Sequence, residues 1–147
     1  EAGFSDVILC PEVMGKVNQL GTVEEVLALC KVDPRITPCV DFGHLNARTQ
    51  GGLSQKQDFV RVLDQMADAL ADERASRFHV HFSKIEYTAG GEKRHLTFAD
   101  QAFGPDFEPL LELCWERGLS PTIICESAGT QAEDAAAMMA FWNTLVE

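Results

Sequence analysis

Hydrophobic and polar positions along the chain form four repeats, each a short apolar run followed by a longer segment with helical spacing. The apolar runs predict strands at residues 7–10, 36–40, 78–83 and 122–125. The helical segments, three of which open with capping-type residues, span 22–32, 54–72, 105–118 and 130–145. Strict alternation of strand and helix is typical of a parallel sheet. The pattern therefore predicts a single α/β domain over residues 1–147 with about four βα units.

Two connections interrupt this alternation, and both are predicted to be loops. Residues 41–53 are polar and contain Gly51 and Gly52, and residues 84–104 are rich in glycine and charge. Loops as long as the second are usually functional or disordered in compact domains. The pattern does not decide whether the sheet is open or closes into a barrel.

Composition sets limits on the class of protein. With 147 residues and 46% hydrophobic content, the chain can bury one sizeable core. Five cysteines without paired spacing favour a reducing, cytoplasmic setting. No apolar run approaches the length of a membrane span, so no membrane partner is expected. The chain opens at Glu1 without an initiating Met, and we expect this start to be a cut.

The net charge of −11 counts against a large DNA-binding surface, because non-specific affinity for phosphates comes from lysine and arginine. Bound divalent cations would cancel part of this charge locally and could themselves hold phosphate.

Ligand-type side chains lie at the end of every predicted strand, where α/β proteins bind their ligands. They are Glu12 after the first strand, Asp41 and His44 after the second, His79 and His81 on the third, and Glu126 after the fourth. Each has a structural alternative, such as a helix cap or a hydrogen-bonded core histidine. Carboxylates gathered at one edge repel one another unless a cation is present. Ligation by His, Asp and Glu without Cys suits catalytic zinc or manganese, so we expect a divalent metal site.

Several motifs together resemble the second half of the endonuclease IV family, which belongs to the xylose-isomerase-like TIM barrels. They are Pro11-Glu12-Val13-Met14-Gly15, Gln19-Leu20-Gly21-Thr22, Val40-Asp41-Phe42-Gly43-His44, His79-Val80-His81-Phe82-Ser83-Lys84, Arg94-His95 and Cys125-Glu126-Ser127. They occur in the family's order over nearly all of the chain.

The resemblance implies a (β/α)₈ barrel of which this chain supplies the C-terminal half. It also implies a zinc cluster that hydrolyses the DNA phosphodiester at abasic sites during repair, by attack of a hydroxide on phosphorus. The implied metal ligands are Glu12, Asp41, His44, His79, His95 and Glu126, with Glu12 and Glu126 in catalytic roles.

Three departures from the family pattern change these expectations. Lys93 stands where the family has an aspartate ligand, so a site with two metals becomes as plausible as one with three. His81 and Phe82 replace an Asn-Asp pair, which makes His81 an additional candidate ligand. Four predicted strands also fall short of the eight of a TIM barrel. We therefore expect the isolated chain to lack full activity and to pair edge to edge as a homodimer.

Two other functions remain open from the sequence. One is a sugar isomerase or epimerase of the same superfamily, which uses a Glu/Asp/His/Glu metal set at strand ends. The other is a catalytically silent module that binds a metal and a small sugar or phosphate ligand. The acidic net charge and Lys93 favour the isomerase, whereas the sequence motifs around Glu12 and Asp41 favour the nuclease.

Overall fold

A computed structural model describes Gly3 and residues 6–147, and over this part of the chain five α-helices and five strands follow one another. They are α1 (Val23–Cys30), β1 (Cys39–Asp41), α2 (Phe42–Arg48), α3 (Lys56–Ala69), β2 (His79–Phe82), β3 (Ile85–Thr88), β4 (Gly91–His95), α4 (Glu108–Arg117), β5 (Thr122–Cys125) and α5 (Gln131–Val146). Four of the helices lie where helical spacing predicted them, and β5 has the predicted bounds.

The main sheet is parallel, as predicted, with strand order β1-β2-β5. Asp41 pairs with His81, and His81 pairs with Ile124. The predicted first strand lies beside β1 but joins it through isolated bridges, Leu9 to Ile36 and Glu12 to Cys39, and not as a regular strand. Pro11 has no N–H to donate to β1, which leaves a gap in this ladder. We call residues 7–13 the edge segment.

The two segments predicted as loops contain regular structure, so both predictions were wrong. The first opens with α2, which begins directly after β1 because the Asp41 side chain caps it by accepting a hydrogen bond from the His44 N–H. The second folds into the antiparallel β3–β4 hairpin. Gly91 enters β4 with φ 93°, a backbone conformation that glycine adopts without strain.

The hydrophobic core lies between the sheet and its helices. Val80 and Phe82, both fully buried, point from β2 toward Phe42 and Phe59. On the opposite face of the sheet His79 and His81 are half-buried and Ile124 is 46% exposed. Within the described residues the sheet is therefore open, with one face covered by helices. No helix in this part of the chain is long and apolar enough to cross a membrane.

Candidate metal centre

Four potential ligands converge at the carboxyl end of the sheet. They are Glu12, Asp41, His81 and Glu126, and their ligand atoms lie within 4.8 Å of one another. Each comes from a different strand or strand-like segment, near or just beyond its carboxyl end. His81 Nδ1 lies 3.1 Å from Glu12 Oε1 and 3.4 Å from Glu126 Oε1. We call this set the four-ligand group.

Asp41 is the buried member of the four-ligand group. Its Oδ1 accepts a hydrogen bond from the His44 N–H at 2.7 Å, whereas its Oδ2 has no hydrogen-bond partner among the described residues. Burial raises the pKa of this carboxyl to about 6, and the charges of Glu12 and Glu126 act in the same direction. Oδ2 lies 3.2 Å from His44 Nδ1 but accepts no hydrogen bond, and such a buried carboxylate oxygen beside two further carboxylates is a costly arrangement without a further cation.

His44 lies between three acceptors that compete for one proton. Its Nδ1 is 3.1 Å from the Val13 carbonyl, 3.2 Å from Asp41 Oδ2 and 3.3 Å from Glu12 Oε1. Burial lowers the pKa of this imidazole, but the neighbouring carboxylates outweigh burial and raise the pKa to about 9. In turn, hydrogen bonding to His44 is the main cause that lowers the pKa of Glu12.

The other nitrogen of His44 belongs to a second set of ligands, His44, Glu92 and His95, which we call the three-ligand group. Glu92 Oε2 lies 3.4 Å from His44 Nε2, and Glu92 Oε1 lies 3.8 Å from His95 Nε2. Ser83 Oγ lies 2.8 Å from His95 Nδ1 and fixes the ring from its other side. The two groups therefore meet at His44.

The structure brings together all but one of the ligands expected from the sequence. Glu12, Asp41 and Glu126 lie in one group, and His44 and His95 lie in the other. His79 belongs to neither group; it pairs with Cys39 and Thr122, two residues before Asp41 and Ile124 along the neighbouring strands. His81, the additional candidate, occupies the place expected for His79. The two histidines share a face of β2, but two residues along a strand separate them by about 6.6 Å.

Glu92 is the ligand-type residue that sequence reasoning missed. The available signal was a carboxylate three residues before His95, one position earlier than the family aspartate that Lys93 replaces. In the structure Glu92, and not Lys93, lies beside His44 and His95.

The loop after Glu12 is held firmly against both groups. The Arg48 guanidinium donates to four carbonyls of this loop, Met14, Lys16, Val17 and Gln19, at 2.8–3.3 Å. The Gly15 carbonyl accepts a hydrogen bond from the Glu92 N–H at 2.9 Å. A Cβ at Gly15 would approach Glu92 Cβ to 2.6 Å, so only glycine leaves room for Glu92 there.

The residues present fit divalent metal ions. Each group offers imidazole nitrogen and carboxylate oxygen, which suit zinc and manganese, and both lie half-buried at one end of the sheet. Asp41 Oδ2 supports this fit, because it accepts no hydrogen bond among the described residues and has the His44 imidazole beside it at 3.2 Å, so that a metal ion would give it a ligand bond.

Comparison with known proteins agrees with this fold. The xylose isomerase-like TIM barrel family matches residues 2–145, and the chain belongs to that family. It is also 36% identical over 145 residues to the uncharacterized protein MJ0133 of Methanocaldococcus jannaschii. The match covers 99% of this chain and 52% of that relative, so the chain spans about half of the relative's length.

Proposed function

We propose that the two ligand groups bind divalent metal ions and that the complete site hydrolyses a DNA phosphodiester at an abasic site, in the manner of endonuclease IV. The observation that carries this proposal is the contact between the groups at His44, whose two nitrogens face Glu12 and Glu92 respectively. Adjacent metal sites of this kind are typical of nucleases and phosphatases.

Metal ions at such a centre supply Lewis-acid activation of water and of phosphoryl oxygens. The chain's own residues would hold and orient the reactants. Glu12 Oε1 reaches His81 in one direction and His44 in the other, so this carboxylate lies at the border of the groups. Glu126 has the most exposed side chain of the four-ligand group, at 36%, and is therefore the carboxylate that a substrate or water meets first.

A second candidate, a sugar isomerase or epimerase, is favoured by the engagement of several cationic side chains near the centre with other groups. Lys93 and Arg94 both pair with Glu86, and the Arg48 guanidinium is engaged by backbone carbonyls. The Lys84 ammonium lies 3.0 Å from Asp106. A neutral polyol needs no such cations, and a metal ion held by the four-ligand group alone would supply the polarisation of its oxygens.

The two candidates are separated by parallel assays on this chain and on a full-length relative. Each protein is incubated with an end-labelled duplex that carries one abasic site and with a panel of ketoses, with added zinc or manganese or with chelator. Nicking that the chelator abolishes supports the nuclease, and ketose interconversion supports the isomerase. If the full-length relative does neither, the nuclease proposal is wrong and a binding module remains. Asp41→Asn in the active protein is the control, since it removes the buried ligand.

A further inference from the structure

The parallel sheet has two unpaired edges. β5 pairs with β2 on one side, and the edge segment pairs with β1 on one side. Among the described residues no strand lies against the outer side of either. The N–H groups of Thr122 and Glu126 donate inward to β2, so the alternating N–H groups of Ile123 and Cys125 face outward. Unpaired edges of this kind readily accept another strand.

Apolar side chains are exposed at both edges. Ile8 and Leu9 in the edge segment are 64% and 58% exposed, and Ile124 in β5 is 46% exposed. Beside β5 lies an apolar groove of about 440 Å³ between α4 and α5, whose lining includes Leu111, Cys114, Ile123, Met138, Met139 and Trp142. Exposed apolar surface next to an open edge is costly in water.

We propose that a second copy of this chain covers these edges, with the edge segment of each protomer pairing in parallel with β5 of its partner. A two-fold axis along the strand direction keeps all strands parallel and satisfies both edges at once, whereas a single bound strand would satisfy only one. Four parallel strands from each copy give the eight that a TIM barrel requires.

This pairing would also complete the metal centre. The side chains of Glu12 and Glu126 are 27% and 36% exposed, whereas those of Asp41 and His44 are 0% and 6% exposed. The two exposed ligands follow the two edge strands, so partner strands placed there shield them from solvent. The pairing does not depend on the proposed catalytic activity.

The first test is the mass of the full 147-residue chain in solution. Sedimentation velocity at physiological salt, on metal-free and zinc-loaded protein across the micromolar range, is expected to give twice the 16.2 kDa monomer. Ile8→Asp and Ile124→Asp are expected to shift the protein to monomer while circular dichroism is retained. Gln57→Asp is the control, because Gln57 is exposed on α3, which packs between α1 and α4 and away from both edge strands. It is expected to remain dimeric.

Hydrogen exchange tests the arrangement within the dimer. Edge pairing predicts that the outward amides of Ile8, Cys10, Ile123 and Cys125 exchange about tenfold or more slowly in the dimer than in the Ile124→Asp monomer. A folded wild-type monomer at all concentrations would overturn the proposal. A dimer in which these amides exchange at the monomer rate would overturn it as well, since that dimer would use another surface.

Discussion

Glu92 and His95 point to the same face of the β3–β4 hairpin although three residues of a regular strand would place them on opposite faces. The hairpin register explains this, because Glu92 pairs with Tyr87 and Arg94 pairs with Glu86, which leaves Lys93 as an extra, bulged residue. The bulge turns Glu92 toward His44, and Lys93 pairs with Glu86 instead. Lys93, which departs from the endonuclease IV motif, is thus the bulged residue that allows Glu92 to supply a carboxylate.

Replacement of Glu92 by Gln tests whether Glu92 supplies the carboxylate of the three-ligand group. We expect Glu92→Gln to abolish one of two zinc-binding events in isothermal titration, that of the three-ligand group, while the other is retained. The matched control is Glu86→Gln, which removes a carboxylate from the same hairpin that pairs with Lys93 and Arg94. Equal zinc binding by the Glu92→Gln and Glu86→Gln proteins would contradict a role for Glu92.

A methyl group added at Gly15 should displace the Glu92 side chain, which packs directly against this position. Because the added Cβ would lie 2.6 Å from Glu92 Cβ and 2.9 Å from His44 Cδ2, we expect Gly15→Ala to weaken zinc binding at the three-ligand group. We also expect it to lower the free energy of unfolding by about 1–3 kcal/mol. Gly90→Ala is the control, since its nearest neighbour is Thr88 Oγ1 at 3.8 Å. Normal zinc binding and normal stability in Gly15→Ala would show that the loop can move to accommodate a methyl group, and would contradict the requirement for glycine at this position.

Loss of the proton from His44 should make the metal-free protein less stable at high pH. Its pKa is raised from 6.5 to about 9, so the folded state binds this proton more tightly than the unfolded state does. The resulting stabilisation, of order 2 kcal/mol, is fully present below pH 6.5 and is lost as the pH rises through about 9. Urea unfolding of metal-free protein at pH 6 and pH 9 measures the difference. His44→Gln should reduce this dependence and His79→Gln should not; a slope unchanged in His44→Gln would contradict the assignment.

Arg48 should stabilise the loop that follows Glu12. Its guanidinium donates to four backbone carbonyls, so Arg48→Met leaves these acceptors to solvent and should cost about 1–3 kcal/mol of unfolding free energy. Limited proteolysis should then cut within residues 15–21. Arg77→Met is the control, because Arg77 is exposed and pairs only at 3.9 Å with Glu73. Equal stability and equal cleavage in the two variants would show that Arg48 does not fix the loop.

The sequence was informative where burial decides the pattern. Periodic apolar positions located four helices and β5, and strand alternation predicted a parallel sheet with ligands at its carboxyl end. The sequence was less informative where a local interaction, such as a helix cap, overrides the hydrophobic pattern. α2 is short, and the residue that caps it, Asp41, is also a candidate ligand, so the sequence did not separate the capping role of Asp41 from its ligand role.

The two differences between the expected ligand set and the grouping in the structure have a common physical origin. Choosing between His79 and His81 requires the register of β2 against β1, because both histidines share a face and differ only in depth. Finding Glu92 requires the bulge at Lys93, which changes the face of every residue before it. Register and bulges are set by contacts between strands, and a single strand's sequence does not contain them.

Zinc binding by two histidine variants is the most direct test of metal binding at the four-ligand group. Equilibrium dialysis followed by elemental analysis compares the wild-type chain with His81→Ala and His79→Ala. If the four-ligand group binds metal as the register indicates, His81→Ala weakens zinc binding by at least about tenfold, as Asp41→Asn should, while His79→Ala binds as tightly as wild type. Loss of zinc in His79→Ala, with unchanged binding in His81→Ala and Asp41→Asn, would contradict it.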